Sequence, residues 1–338
     1  MISPSELKRQ LLPKGIRREL QNLGNRLFNR CTEDKLVTVF QRLQIPPGAY
    51  VCVHSMLSGL GYLVGGPETV IKALQRAVPG CTIMMPSFPF SGSAKEYLDL
   101  GEVFDPQQTP SKSGMLTECL RRMPGAVRSL HPTHPCVALG PGARDLIDGA
   151  EQSLTPFGDD STYGRFSKKS NAYLLLIHTN NTSMVHRIQE MVNMPNLFLD
   201  PVFNARTLLP TGGVTEFPVK LHTPVVPLFV VEGDEGKGKE FLWYPDYTLL
   251  FPKYNYQRIQ EKLLGNPAWE KLKKRHDSFI ERGVYAVSAS GGSEIMSVKL
   301  DPWLREINRD VCRSLQLFCS DYDGENLAAM YREGRLAK

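Results

Sequence analysis

No apolar run in this 338-residue chain is long enough to cross a bilayer, which argues against a membrane-spanning helix. The opening Met1-Ile2-Ser3-Pro4 leads into charged residues, not into the apolar core of a signal peptide. Cysteine is sparse: seven thiols, at Cys31, Cys52, Cys81, Cys119, Cys136, Cys312 and Cys319, form no CxxC pair. That scatter argues against a disulfide framework and points to reduced thiols in a cytoplasmic protein. The seven histidines are dispersed and no zinc-ligand spacing is present, so no metal is expected. The glycine-rich stretch Gly233–Lys239 lacks the spacing and the following Ser or Thr of a P-loop, and reads as an exposed hairpin tip. Aromatics do not interleave with the basic runs at Lys8–Arg30 and Lys271–Arg275, so no nucleic-acid partner is expected. Internal repeats and low-complexity segments are absent.

What is present is ordinary globular composition, 41% hydrophobic and 22% charged, with enough apolar residues for a sizeable core. The formal net charge is +5, a mildly positive field that favours anionic ligands. Residues 1–45 read as a helical leader, broken by Pro46-Pro47-Gly48. Short apolar runs then alternate with amphipathic ones. Strands are expected at 50–53, 81–85, 136–139 and 172–177, and helices at 67–77, 114–123 and 143–147. Residues 86–112 read as one long irregular stretch. βα alternation of this kind implies an α/β layered fold. Beyond Pro195, short strands give way to helical patterns at 255–282 and 301–335.

One segment stands out. The apolar Ala172–Ile177 run reads as a buried strand, His178-Thr179-Asn180-Asn181 as a polar turn, and Thr182-Ser183 as the cap of a helix through Glu190. His186 then sits one turn into a helix at the carboxyl edge of a sheet, where open α/β sheets bind ligands. Glu190, four residues on, shares its helix face and is placed to orient the imidazole.

Four segments, taken in order, resemble the aminoglycoside 3-N-acetyltransferase (antibiotic N-acetyltransferase) family. They are Val53–Gly61 with Gly65–Val70; Phe104-Asp105-Pro106 with Thr109-Pro110-Ser111 and Gly114; Arg128-Ser129, His131–His134 and Ala138–Pro141; and Pro156-Phe157-Gly158 with Tyr163-Gly164-Arg165, followed by Asn181–His186. The resemblance covers about residues 35–200. It implies an α/β/α sandwich on a mixed central sheet; with the helical patterns at both ends, the expected organisation is a helical leader 1–45 packed on the core, an acyl-CoA-dependent N-acyltransferase domain over 46–300 and a C-terminal helical extension over 301–338. It implies transfer of an acyl group, most simply acetyl, from acetyl-CoA to a primary amine, with His186 as general base and Thr182 and Glu190 beside it. A neutral imidazole suits that task near pH 7, and a thioester needs no metal. The expected partners are coenzyme A and a small-molecule amine, with no membrane, on a monomer or homodimer.

Residue types suggest the remaining contacts. His54, Ser55, Met56 and Leu57 end a strand and either meet the pantetheine arm or simply terminate the strand. Gly65 and Gly66 let backbone approach the cofactor or merely turn the chain. Ser111, Lys112, Ser113 and Gly114 precede a helix and form either a phosphate site or an ordinary cap. Asp105, His134, Asn181 and Gln189 are expected on the acceptor side. His131, in the same proline-flanked turn as His134, is expected to brace that turn.

Three departures from the family pattern bear on the acceptor. One extra residue separates Asn181 from His186. Gln189 stands three past the base, where the family has glutamate, and Glu190 follows, about 100° further round the helix. The segment 218–223 lacks the acidic pair that some relatives use for a polycationic drug. An amino sugar or other biosynthetic amine is therefore the expected acceptor, against the alternative of aminoglycoside acetylation conferring antibiotic resistance. Two further alternatives stay open: a ping-pong acyltransferase or hydrolase built on Cys136 or Cys52, and a catalytically inactive CoA-binding homologue.

Overall fold

The computed structural model describes residues 24, 26–179, 182–193, 197–222, 229–231, 240–242, 267–290 and 293–313. The first half runs β1 (Arg30–Cys31), α1 (Glu33–Gln41), β2 (Tyr50–Ser55), β3 (Tyr62–Leu63), α2 (Glu68–Ala77), β4 (Thr82–Pro86), α3 (Ala94–Asp99), β5 (Val103–Phe104), α4 (Met115–Arg121), β6 (Val127–Arg128) and β7 (Cys136–Leu139). The second half runs α5 (Ala143–Ile147), α6 (Thr162–Ser167), β8 (Ala172–Ile177), α7 (Met184–Met191), β9 (Phe203–Leu208), β10 (Val214–Val219), β11 (Phe229–Val231), β12 (Glu240–Leu242), α8 (Pro267–Glu281), β13 (Tyr285–Ser290), β14 (Ser293–Lys299) and α9 (Leu300–Arg313).

Seven strands form the central sheet in the order β13-β14-β8-β2-β4-β7-β6. The three middle strands β8, β2 and β4 are parallel, and the outer pairings are antiparallel, so the sheet is mixed. Side chains alternate across it. Val51, Val53, Ile83, Met85, Leu175 and Ile177 point to one face, where Leu36, Phe40, Ile71, Leu74, Leu116 and Leu120 of α1, α2 and α4 cover them. Cys52, Met84, Leu174 and Leu176 point to the other, under Phe166, Met184, Ile188, Phe279 and Trp303 of α6, α7, α8 and α9. This is the expected α/β/α sandwich. Because both faces are covered, the middle strands read as continuous apolar runs.

Two regions differ from the sequence reading. Residues 86–112 are not uniformly irregular. Ser93 and Glu96 close a reciprocal capping box that starts α3, and Val103–Phe104 pairs with β9. The segment after α8 forms β13 and β14, which complete the sheet beside β8. The charged tip 233–239 lies outside the described residues, although its flanking strands β11 and β12 pair antiparallel. No described helix is long and apolar enough to cross a membrane.

Candidate active site

β2 and β8 run side by side, from Tyr50 opposite Ala172 to Ser55 opposite Ile177. Their carboxyl ends therefore finish together, and α7 starts just beyond. Thr182 is buried, and its hydroxyl accepts the Met184 amide at 3.3 Å. It serves the helix start. The Ser183 amide is satisfied from the sheet: His54 Nε2 accepts it at 3.0 Å. A nitrogen that accepts carries no hydrogen, so the His54 proton is on Nδ1, which faces Cys52 Sγ at 3.9 Å. Burial lowers the His54 pKa to about 4, in keeping with a neutral ring. This ring ties α7 to the sheet edge, and both of its nitrogens are used by the protein.

His186 sits half-buried on α7. Its Nδ1 meets Gln189 Oε1 at 2.8 Å. An amide oxygen accepts, so the ring hydrogen lies on Nδ1 and the basic lone pair on Nε2. Burial first, and the neighbouring His222 ring second, push the pKa of His186 down to about 3, against the opposing effect of the hydrogen bond it donates to Gln189. The expectation that Glu190 orients this ring is not met. Glu190 Oε2 accepts from the Thr155 hydroxyl at 2.6 Å, and Oε1 accepts from the Phe157 amide at 3.0 Å and from His222 Nε2 at 2.7 Å. A nearly buried carboxylate is drawn to the richest set of donors, and that set lies on the 155–157 loop and on His222. Gln189, one position earlier on the helix, takes the imidazole instead.

Phe157 is the hub of the cluster. Its ring centroid lies 5.1 Å from that of His186, 5.3 Å from His222, 5.6 Å from His134 and 4.5 Å from Tyr163. His186 and His222 meet edge to face at 5.1 Å. The loop carrying Phe157 is clamped by buried Arg187, which donates to the Phe157 carbonyl at 3.0 Å and pairs with Asp159. Gly164 belongs to the same clamp, since a Cβ there would lie 2.1 Å from the Gly158 carbonyl oxygen. His131 Nδ1 accepts the amides of Thr133 and His134, so His131 braces its turn. His134 packs edge-on against Phe88 and Phe90, its Nδ1 3.0 Å from the Thr133 hydroxyl. Burial, then the charges of His131, His222 and His186, hold its pKa well below the usual value.

The other expected residues are placed less centrally. The three amides of Ser111, Lys112 and Ser113 are already taken, by Glu118 Oε2 at 2.9 Å, the Phe88 carbonyl at 2.7 Å and Ser111 Oγ at 3.2 Å. The free-amide phosphate cradle expected there is therefore not formed by those residues. Glu118 also puts negative charge beside it, and the Lys112 side chain is exposed. Asp105 Oδ1 accepts the amides of Gln107 and Gln108, which makes it the builder of its own turn. Gly65 and Gly66 have φ of 91° and 76°, and a Cβ on Gly65 would lie 2.7 Å from Thr69 Oγ1. They turn the chain into α2. Ser55 and Leu57 are half-buried at the end of β2, with Met56 exposed between them. Asn181 lies outside the described residues. Sequence reasoning missed His222, Arg187 and the central place of Phe157. Phe157 stood inside a family-like segment without a role, and His222 follows Val219 and Leu221 with no local signal beyond its residue type.

The cysteine alternative fares poorly on geometry. Cys52 and Cys136 are fully buried in the core, and burial pushes Cys136 up to about 12 and Cys52 well above its ordinary value. Thiols held protonated and out of reach are not activated nucleophiles. Among the described residues no group of three His, Cys, Asp or Glu is placed to hold a metal ion. The 630 Å³ cavity lined by Arg121, Arg128, Arg144 and Asp148 lies at the β6 edge, and none of the clustered histidines lines it.

Residues 52–215 match the family described as aminoglycoside 3-N-acetyltransferase. Aminoglycoside N(3)-acetyltransferase VIII of Streptomyces fradiae is 34% identical over 172 residues, which are 46% of this chain and 59% of that protein. Aminoglycoside N(3)-acetyltransferase III of Salmonella sp is 30% identical over 179 residues, 49% of this chain and 62% of that protein. The match thus spans about three-fifths of the length of these curated relatives. Among solved structures, aminoglycoside acetyltransferase AAC(3)-Xa superposes with a TM-score of 0.64 at 22% identity, over 88% of this chain and 99% of that one. AAC-IIIb, solved as a binary complex with CoASH, does so with a TM-score of 0.61 at 18% identity, over 85% and 97%. At those identities the structures establish a shared fold. Through residues 52–215, the chain resembles the aminoglycoside 3-N-acetyltransferase family.

Proposed function

We infer that this protein transfers an acetyl group from acetyl-CoA to a primary amine, by direct attack within a ternary complex, with His186 as general base. The observation that carries this reading is the placement of a neutral, Gln189-oriented imidazole at the joint carboxyl end of two parallel strands, within a family of N-acetyltransferases. An ammonium group must lose a proton before nitrogen attacks a thioester. A second proton leaves once the C–N bond has formed, and an imidazole that stays neutral at pH 7 is uncharged and able to accept a proton from that cationic adduct. Holding amine and thioester in one cleft supplies much of the remaining rate. The CoASH bound to AAC-IIIb supports coenzyme A as the second ligand. Lys112 and Ser55 through Leu57 are candidates for its contacts, and His134 for the acceptor wall.

The acceptor is an amino sugar or other biosynthetic amine carrying few positive charges. Among the described residues, two carboxylates near the cluster are already engaged: Glu190 by three donors and Asp159 by Arg187. Neither is left to bind a polycation, and a net charge of +5 opposes one.

The test is thiol release from acetyl-CoA against amino sugars, sugar nucleotides, small amines and aminoglycosides. Turnover with a monoamine, lowered about 10²–10⁴-fold in His186→Ala, is the expected result. Turnover with aminoglycosides alone overturns the acceptor assignment. Full activity of His186→Ala overturns the base.

A further inference from the structure

Acetylating an ammonium group requires two protons to leave one nitrogen. The first departs before attack. The second departs after the C–N bond forms, when the nitrogen of the tetrahedral adduct is again cationic. The C–S bond then breaks and the thiolate sulfur takes up one proton. The other goes to solvent. One base handling both must empty itself between steps. The structure holds a second imidazole beside the first, and the two have opposite partners.

His222 donates from Nε2 to Glu190 at 2.7 Å, so its lone pair lies on Nδ1. The side chain is about nine-tenths buried, and Nδ1 has no hydrogen-bond partner among the described residues. The ring stands edge to face with His186 at 5.1 Å, between Phe157 and Phe198. A carboxylate-backed imidazole stabilises its own cation. An amide-backed one, like His186, does so much less.

Resting on the acyl-transfer reading above, we propose that the two imidazoles divide the protons: His222 Nδ1 takes the first from the ammonium, and His186 Nε2 takes the second and returns it to the coenzyme A sulfur. His222 then holds its proton as an ion pair with Glu190 until product leaves, and gives it to solvent. The balance is one amine proton to sulfur and one to water per acetyl transferred. The groups facing His222 are Glu190 and His186 from α7 and His134 from the 130–135 turn. Lys220 lies beyond the Phe198 ring, 5.5 Å from its centroid. The flanking loop at Thr155 and Phe157 contributes no titratable side chain.

The pH dependence of turnover separates the two roles. In His222→Asn, kcat near pH 7 is expected to fall about 10²-fold and to climb back toward wild type as pH rises, because the free amine no longer needs a first acceptor. In His186→Asn the loss is expected to persist at high pH. A His222→Asn activity within three-fold of wild type at every pH, or a deficit that stays flat with pH, overturns the division. A measurement independent of turnover uses histidine ring NMR on the full chain. His222 should be the Nε2–H tautomer, and Glu190→Gln should move its Nε2–H resonance upfield as the carboxylate acceptor is lost. An Nδ1–H tautomer, or an Nε2–H resonance indifferent to Glu190→Gln, overturns the assignment. Wild-type protein inactive with every amine and acyl-CoA tested refutes the acyl-transfer reading itself, whereas turnover indifferent to His222 refutes only the division.

Discussion

The histidine cluster on α7 and the serine-rich turn at 111–114 both carry family-like residues, yet the structure uses them in opposite ways. In the turn, polar groups are spent inward: three successive amides find protein acceptors, and Ser113 Oγ accepts the Phe88 amide at 2.8 Å. In the cluster, the Glu190 carboxylate holds His222 Nε2 and leaves Nδ1 basic, and the Gln189 amide oxygen accepts from His186 Nδ1. A turn whose donors are consumed is architecture. A pair of imidazoles oriented by a carboxylate and an amide is acid–base equipment. Residue type alone does not separate the two; counting partners does.

The contrast can be broken most severely at its hub. Phe157→Ala should destabilise the fold by about 3–5 kcal/mol, because a fully buried ring that touches three imidazoles leaves a cavity. Chemical denaturation reads this directly, and a loss under 1 kcal/mol would mean that the ring is not the keystone described here.

Glu190→Ala should cost nearly as much, about 3 kcal/mol, since it strands the Thr155 hydroxyl, the Phe157 amide and His222 without an acceptor. Glu190→Gln should cost less while still abolishing the ion pair. If the two variants unfold alike, the donors are not gathered around the carboxylate.

Acid exposes the cluster next. His54 and His131 titrate near pH 4 and His186 near 3 in the folded state, below an ordinary histidine. The unfolded chain therefore binds protons that the native one refuses. Stability from these groups is complete above about pH 6.5 and is lost as pH falls toward their folded values, with each ring contributing at most about 1.4 kcal/mol per pH unit. Solvent screening reduces that for the half-exposed His54 and His186 rings. Thermal melts from pH 7.5 to 5 should show a steady fall in Tm, and a flat profile would show that the rings charge freely in the native fold.

The turn yields the smallest effects. Ser113→Ala should cost about 1 kcal/mol, the worth of one hydrogen bond. Lys112→Ala should leave Tm unchanged, because the side chain is exposed. A rise in KM for acetyl-CoA in that variant, with kcat intact, would show that the turn meets phosphate through its lysine even though its amides are occupied.

Much of this was legible beforehand. The strand at 172–177, the helix from 184 and the position of His186 follow from apolar continuity and a local helix start, both short-range properties. The capping box at Ser93 and Glu96 was equally local, but it was hidden inside a stretch rich in Gly, Pro and Phe. β13 and β14 carry weaker patterns, because each becomes a strand by pairing with a neighbour: β14 with β8, about 120 residues earlier in the chain, and β13 with β14. Propensity there yields to tertiary pairing.

The amino-acid order alone determined the layered α/β class, the family-like segments and which imidazole begins α7, because these rest on periodicity and spacing along the chain. Tertiary structure alone decided that Gln189 rather than Glu190 meets His186, that His222 arrives from just beyond β10, over thirty residues away, to claim the carboxylate, and that the 111–113 amides are taken by protein acceptors. The reason is competition for partners. A buried polar group bonds the strongest complement that folding brings within about 3 Å, and distance along the sequence says little about which group that will be.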